Sequence, residues 1–482
     1  MAANNVDTNK LSEFVEKQWK DSVIPSLEEF IAIPNQSPFF DAEWETNGHM
    51  DKAVEHCVNW AKALGVAGMD LKVVKGDKGR TPVIFAQIEA SKGAESRGTV
   101  LLYSHLDKQP PLDSVDGGWE DGLGPYKPVI KDGKLYGRGG ADDGYGMYAA
   151  LVAIKGLQEQ GVPHGRLILL TEACEESGSA DLPYYLDLLE KEIGEPALIV
   201  CLDSGCGNYE QLWMTTSLRG AVVGTLRVKV LNEGVHSGLA SGIVPDSFRI
   251  IRMLLNRLED ANTGVVVKQF HTDIPPIRLK QAQDAAAVLG DEIHTTFPWP
   301  SDKSKPFEGS NTELLLNRTW RPALSYVGIA GIPHVSAAGN VLRSETQLTL
   351  SLRLPPNGDA DKAKAELKRL LESDPPYGAE VEFTAGKAGS GFDAPLMPEW
   401  LDNAVTSASE AFWGKPPLRE AGGGSIPFMG LLKKKFPKAS FAVTGVLGPK
   451  SNAHGPNEFL HIQMSANIAK SVALFIDAVP SE

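Results

Sequence analysis

The sequence predicts an α/β fold: a domain on a central, mostly parallel sheet, interrupted by a smaller inserted α+β domain with ferredoxin-like strand order. Three observations carry this. The first two hundred residues alternate short, nearly continuous apolar runs with helical patterns, as parallel strands covered on both faces do. After about Met214 the runs alternate strictly, as in Gly224-Thr-Leu-Arg-Val-Lys-Val230 and Gln347-Leu-Thr-Leu-Ser-Leu-Arg-Leu354, which marks a sheet with one wet face. From about Lys387 the first style resumes.

Taken in order, residues 81–88 and 99–103 read as strands, 147–159 as a helix, and 166–171 and 197–202 as strands again. Inside the insertion, a strand at 224–230 precedes a helix that Asp246 caps and that reaches about Leu258, since a carboxylate there can accept the first free N–H groups. Strands near 323–329 and at 347–354, an amphipathic helix over 361–372 and a strand near 379–384 complete β-α-β-β-α-β. The connection over 262–318 is too long for a simple loop and predicts structure of its own. A helix near 401–412, a strand at 440–445 and a helix near 465–478 close the chain. The expected boundaries are 1–213, 214–386 and 387–482, the middle segment being the insertion.

Composition narrows the function classes. With 482 residues, 42% hydrophobic and 22% charged, the chain is ordinary globular material rather than disordered, collagen-like or coiled-coil. Sixty-one acidic against 47 basic residues give −14, a surface that repels phosphate backbones and argues against a nucleic-acid partner. No apolar run approaches the ~18 residues that span a bilayer, so no membrane partner is expected, and the polar start lacks the apolar core of a secretory signal. Cys57, Cys174, Cys201 and Cys206 form no C-x-x-C pair. Reduced thiols in a cytoplasmic protein are expected.

Ligands of open α/β sheets bind beyond the carboxyl ends of the strands. His105 and Asp107 follow the strand at 99–103; Glu172, Glu175 and Glu176 follow 166–171; Asp203 follows 197–202; and His454 lies a few residues past 440–445. The Gly-rich segment Tyr136-Gly-Arg-Gly-Gly-Ala-Asp-Asp-Gly144 sets Asp142 and Asp143 just before a helix. Carboxylates this crowded repel and take up protons unless a dication relieves them, and mixed His/Asp/Glu donors suit zinc, cobalt or manganese better than calcium. Singly, each motif has a plainer reading: a helix cap, a solvated face, a turn. Their convergence on one sheet edge favours a metal site.

Competing chemistries fail on their motifs. Gly137-Arg-Gly139-Gly-Ala-Asp142 puts Asp where a dinucleotide fingerprint needs its third Gly. Gly423-Gly-Ser425-Ile-Pro427 lacks the last Gly of a nucleophile elbow. Cys174 stands beside Glu175, which makes it a poor thiolate.

Ser104-His-Leu-Asp107, Tyr136-Gly-Arg-Gly, Asp142-Asp143-Gly144, Glu175-Glu-Ser-Gly178, Asp203-Ser204, His236-Ser-Gly238 and His454-Gly455 together resemble, in order and spacing, the motifs of the M20 metallopeptidases, and most of all the carnosinase-like cytosolic dipeptidases. The resemblance runs from about residue 15 to the C-terminus and implies a catalytic domain with an inserted lid. It implies two Zn2+ per chain, with Mn2+ or Co2+ as alternatives. Asp142 would bridge them, with His105 and Asp203 on one and Glu176 and His454 on the other. Asp107 would orient His105, and Glu175 would be the general base. His236 would reach the active site of a neighbouring subunit in a homodimer formed through the lid, and stabilise the oxyanion there. Arg353 would grip the substrate's C-terminal carboxylate, and 422–425, with Gly424 and Ser425, would hydrogen-bond substrate. Read alone, His236 is a turn histidine, Arg353 a strand arginine facing water, and 422–425 a flexible turn.

The implied activity is hydrolysis of an amide bond in a dipeptide or similar small substrate. N-acyl-amino-acid deacylation on the same metal core is the alternative, and a binding protein without catalysis the third reading. Two departures from the family pattern bear on substrate: Gly144 replaces the usual Lys after the Asp pair, and Ala388-Gly-Ser-Gly-Phe392 lacks the histidine of carnosinase-type enzymes.

Overall fold

The computed structural model describes residues 5–112 and 118–481. The chain forms two compact units, one of Met1–Thr216, Ala394–Glu420 and Leu431–Glu482, the other of Ser217–Asp393 and Ala421–Gly430. The insertion therefore begins and ends a few residues later than the sequence pattern sets it, because the strand Glu380–Gly389 carries its sheet past Lys387. The short segment Ala421–Gly430, expected with the C-terminal part of the larger domain, belongs to the smaller unit.

The larger unit is built on six strands: β1 (Met69–Val74), β2 (Val83–Ile88), β3 (Thr99–His105), β4 (Leu167–Glu172), β5 (Pro196–Cys201) and β6 (Ser440–Val443). They lie in the order β1-β2-β4-β3-β5-β6. The pairs β3/β4, β3/β5 and β5/β6 are parallel, while β1/β2 and β2/β4 are antiparallel. The central strands are buried along nearly their whole length, which is why they read as continuous apolar runs. β1 escapes that signature. Its sequence Met-Asp-Leu-Lys-Val-Val alternates with exposed residues because it is the sheet edge, where polar side chains discourage further pairing. Helix α1 (Tyr145–Glu159) is buried on almost every side, as an all-round apolar helix must be, and packs on α3 (Ile462–Ala478), against which α2 (Glu399–Trp413) also lies.

The smaller unit has four antiparallel strands in the order Ala323–Ala330, Glu345–Leu354, Gly220–Lys229, Glu380–Gly389. With helices Ser247–Leu255 and Ala360–Glu372 packed on one face, this is the ferredoxin-like order. Leu226, Val228, Leu350 and Leu352 point into a core with Ile250, Leu254, Leu367 and Leu371. Asp246 caps the first helix, accepting from the N–H groups of Phe248 and Arg249. The long connection holds helices Pro276–Leu289, Glu292–Thr295 and Asn311–Thr319. Among the described residues, no helix is long and apolar enough to cross a membrane.

Candidate metal centre

The parallel strands share one carboxyl edge, and the predicted donors meet there. β3 ends at His105, and the register pairs it with Glu172 at the end of β4. One helical turn beyond β4 (Glu175–Ser177) carries Glu175 and Glu176. Asp203 follows β5, and Asp142 sits in the irregular turn Gly140–Gly144 that leads into α1; the Asp142–Asp143 peptide is cis.

Two donor clusters result. His105, Glu175 and Asp203 each place a ligand atom within 4.8 Å of the others, and so do Asp142, Glu176 and His454. Asp142 joins them: its Oδ1 lies 3.3 Å from His105 Nε2 and its Oδ2 3.0 Å from His454 Nε2. Asp203 Oδ2 is 3.8 Å from His105 Nε2, and Glu176 Oε2 is 3.4 Å from His454 Nε2. His454 alone among the six is well exposed. Asp107 is fully buried and works in two directions. Its carbonyl and Oδ1 face His105 Nδ1 at 3.2 and 3.5 Å. Its carboxylate oxygens also accept the N–H groups of Glu175 and Glu176, each at 3.0 Å, which fixes the turn that bears both glutamates.

The electrostatics fit a divalent cation. Burial pushes the carboxyl groups of Asp203 and Glu175 well above the usual carboxylate range, and neighbouring carboxylates add to the rise. Burial and Asp142 take Glu176 up to about 8. Burial opposes charge on both imidazoles, yet Asp107 and Asp142 hold His105 well above its ordinary value, and Asp142 raises His454 to about 9. Against the pull of burial, the two imidazoles hold Asp142 low. Buried carboxyl groups crowded in this way are relieved of their mutual repulsion by a cation. Two imidazoles with several carboxylates are the donor set of zinc, manganese or cobalt.

Several residues support the site, and of these Gln109, Lys108, Arg138 and Glu458 escaped the sequence reading. Gln109 Nε2 donates to Glu176 Oε2 at 2.6 Å. Glu172, pushed up to about 7 by burial, accepts from Tyr103 Oη at 2.6 Å and Ser179 Oγ at 2.8 Å, so it braces the strand ends rather than joining a cluster. Arg138 and Glu458 form an ion pair at 2.7 Å, their side chains 1% and 0% exposed. Arg138 Nη2 and Nε also donate to the carbonyls of Gly455 and Pro110, while Glu458 Oε1 accepts from Gly139 and Ala141. The pair ties the loop after His454 to the loop before Asp142. Lys108 is buried, and its Nζ donates to the carbonyls of Phe30, Ile31 and Ile33. Gly139 makes room for it: a Cβ there would stand 2.5 Å from Lys108 Cγ. Cys174 is buried, and burial, with Glu172 next, raises its thiol far above the reactive range.

The remaining candidates lie in the smaller unit. His236 is exposed, and its Nδ1 accepts the Gly238 N–H at 3.1 Å. Arg353 Nη1 donates to Ser425 Oγ at 3.1 Å, and Ser425 Oγ donates to the Arg219 carbonyl at 2.6 Å. The Gly424 carbonyl accepts the Arg219 N–H at 3.1 Å.

Comparison with known proteins matches residues 101–479 to the model of peptidase family M20/M25/M40. The chain is 27% identical to the cysteinylglycine-S-conjugate dipeptidase of Corynebacterium striatum, covering 78% of this chain and 80% of that protein. It is also 27% identical to the human Beta-Ala-His dipeptidase, covering 73% and 69%. The structure of the di-peptidase Dug1p from Saccharomyces cerevisiae superposes with a TM-score of 0.79 at 18% identity over 99% of both chains, which shows a shared fold.

Proposed function

The chain belongs to peptidase family M20/M25/M40, and on that footing we propose that it hydrolyses the amide bond of dipeptides, or similarly small substrates with a free C-terminal carboxylate, at a centre of two divalent metal ions. The observation that carries this reading is the pair of donor clusters joined through Asp142. Dipeptidases among the relatives support the choice of substrate class. Asp142 would be the shared ligand, with His105 and Asp203 on one side and Glu176 and His454 on the other. Two Zn2+ are proposed, with Mn2+ or Co2+ able to substitute.

Divalent ions held there supply Lewis acidity that polarises a carbonyl and brings a water's pKa towards 7. Glu175 would accept a proton as water adds to the scissile carbonyl carbon and would give it to the amine nitrogen as the C–N bond breaks. Its place beside His105 and Asp203 puts its carboxylate within reach of a water held between them. Asp107 positions both His105 and the turn that carries Glu175, in the manner of an outer carboxylate behind a ligating imidazole. Arg353 would hold the substrate's C-terminal carboxylate by a charge-assisted fork, and the segment 422–425, with Gly424 and Ser425, would hydrogen-bond substrate.

His236 would serve a neighbouring subunit's site, where it stabilises negative charge on the carbonyl oxygen. A homodimer through the inserted unit is supported by its bare edge strand, on which Tyr326, Val327 and Ile329 are exposed, since an uncovered apolar edge is an invitation to pair. Near His236, Leu239 and Ile243 are 79% and 82% exposed. Four free, buried cysteines support a cytoplasmic setting.

The test is hydrolysis by the zinc- or manganese-loaded protein of free dipeptides beside N-acetyl and N-succinyl derivatives of the same C-terminal residues, each with a chelator control. Chelator-sensitive cleavage of the free dipeptides is expected. Cleavage of the acylated compounds alone would make the protein a deacylase on the same metal core, and no cleavage of either would overturn the peptidase reading.

A further inference from the structure

Three arginines of the inserted unit meet without a counter-charge. Arg227, Arg278, Arg321 and Arg369 of that unit each form an ion pair. Among the described residues Arg219, Arg318 and Arg353 form none; neither do Arg249, Arg252, Arg257 and Arg343, but only the first three are gathered around one segment, 422–425. Arg219 is only 9% exposed, and its Nη1 is buried without a hydrogen-bond partner among the described residues. The segment 422–425 binds it on three sides: Arg219 Nε donates to the Gly423 carbonyl at 2.9 Å, Arg219 N–H donates to the Gly424 carbonyl at 3.1 Å, and Ser425 Oγ donates to the Arg219 carbonyl at 2.6 Å. The same Ser425 Oγ accepts from Arg353 Nη1 at 3.1 Å. Gly423 lets the third arginine in, because a Cβ there would stand 3.1 Å from Arg318 Cγ and 3.6 Å from Arg219 Nη2. Burial, then the charges of Arg353 and Arg318, pull the Arg219 guanidinium down to about 10.

A guanidinium taken out of water beside two like charges, with a donor left over, is stabilised chiefly by anions. One carboxylate accepts one bidentate fork, which Arg353 alone can supply. Three guanidinium groups, one with an orphan N–H, exceed what a single carboxylate can neutralise. We infer that Arg219 and Arg318 recognise a second carboxylate beside the C-terminal one held by Arg353, so that the substrates are dipeptides ending in Asp or Glu. The inference rests on the peptidase reading and narrows its substrate class. A substrate ending in Asn or Gln offers the Arg219 donor only a neutral amide oxygen, and it sets an NH2 against the guanidinium groups where a carboxylate would bring a second acceptor oxygen and the neutralising charge, so the site discriminates against it.

The experiment compares kcat/KM for Ala-Glu and Ala-Gln with the metal-loaded protein. In parallel, the melting temperature is measured with glutarate and with its monoamide, glutaramate. A preference for Ala-Glu of at least about tenfold is expected, together with a larger upward shift from glutarate. Arg318→Gln, at a half-buried site, should bring both the ratio and the difference in shift close to parity; Arg219→Lys should do the same if it folds. Dipeptide cleavage with a Glu/Gln ratio near one, or a ratio that survives Arg318→Gln, overturns the inference and leaves the peptidase reading standing. Absence of dipeptide cleavage with an Arg318-dependent glutarate shift overturns the peptidase reading and supports the dicarboxylate site. Absence of both overturns both.

Discussion

Replacing Arg138 with Met takes one partner from a pair whose side chains are 1% and 0% exposed. Glu458 then keeps only the N–H groups of Gly139 and Ala141, and the carbonyls of Gly455 and Pro110 lose their guanidinium donor. Removing one partner of a buried pair costs about 3–5 kcal/mol, and each lost carbonyl bond adds about 0.5–1.5 kcal/mol. A loss of about 4–8 kcal/mol is a large fraction of ordinary domain stability. The loss depends on pH with a definite sign. Burial already raises the Glu458 carboxyl, and Arg138 is the chief opposing charge; without it the carboxyl rises further. An acid whose folded pKa exceeds its unfolded value of about 4.3 imposes no penalty below that value, and a growing one as pH climbs to the folded pKa. The damage should therefore be larger at pH 7.5 than at pH 5. Urea titrations at both pH values, with Arg138→Met, Glu458→Gln and the double variant, measure the loss and its coupling. Because Arg138 also holds the Gly455 carbonyl next to His454, metal affinity should fall about 10–100-fold, as when an outer support of a ligand is lost. A loss below about 1 kcal/mol, equal at the two pH values, or additive single effects would refute the claim that this pair is a structural strut of the site.

Glu175→Gln should retain full metal content by elemental analysis while kcat falls by about 10²–10⁴; retained turnover or lost metal would exchange the roles of Glu175 and Glu176. Burial pulls the Lys108 amine down to about 7, whereas the unfolded value is about 10.4. Between those values the unfolded chain binds the extra proton, so stability should rise with pH by at most about 1.4 kcal/mol per unit. Lys108→Met should flatten that rise in urea titrations run from pH 7 to 9, while costing the three carbonyl bonds from Phe30, Ile31 and Ile33. Placing Lys at Tyr326 and Ile329 on the bare edge strand should convert a dimer to a monomer in sedimentation and lower activity with it. A wild-type chain that sediments as a monomer and turns over normally would contradict the role given to His236.

Elements whose burial pattern is simple were legible. The central strands β3, β4 and β5 announce themselves as apolar runs, and Gly220–Lys229 and Glu345–Leu354 as strict alternation, because their burial follows those periods residue by residue. The edge strand β1 and the antiparallel pairing of β2 were not legible, since partner and direction are set by tertiary contacts that no local period encodes. In the site, donors at strand ends could be found because topology alone brings strand ends together. Arg138 and Glu458, 320 residues apart, leave no such trace, and Arg138 sits in a glycine run that looks like a failed nucleotide loop. Arg219 and Arg318 were missed for a related reason: what singles them out is their gathering with Arg353 around 422–425, which only folded coordinates reveal.

The central claim is that Asp142 joins two metal sites. Its most direct test is the number of zinc or manganese ions bound per chain after metal removal and reloading, measured by elemental analysis on the unaltered protein, on His454→Ala and on Asp142→Ala. Two ions are expected for the unaltered chain, one firmly held ion for His454→Ala, and weakening of both sites for Asp142→Ala. A chain that binds no ion, or that still holds two tightly without Asp142, would contradict it.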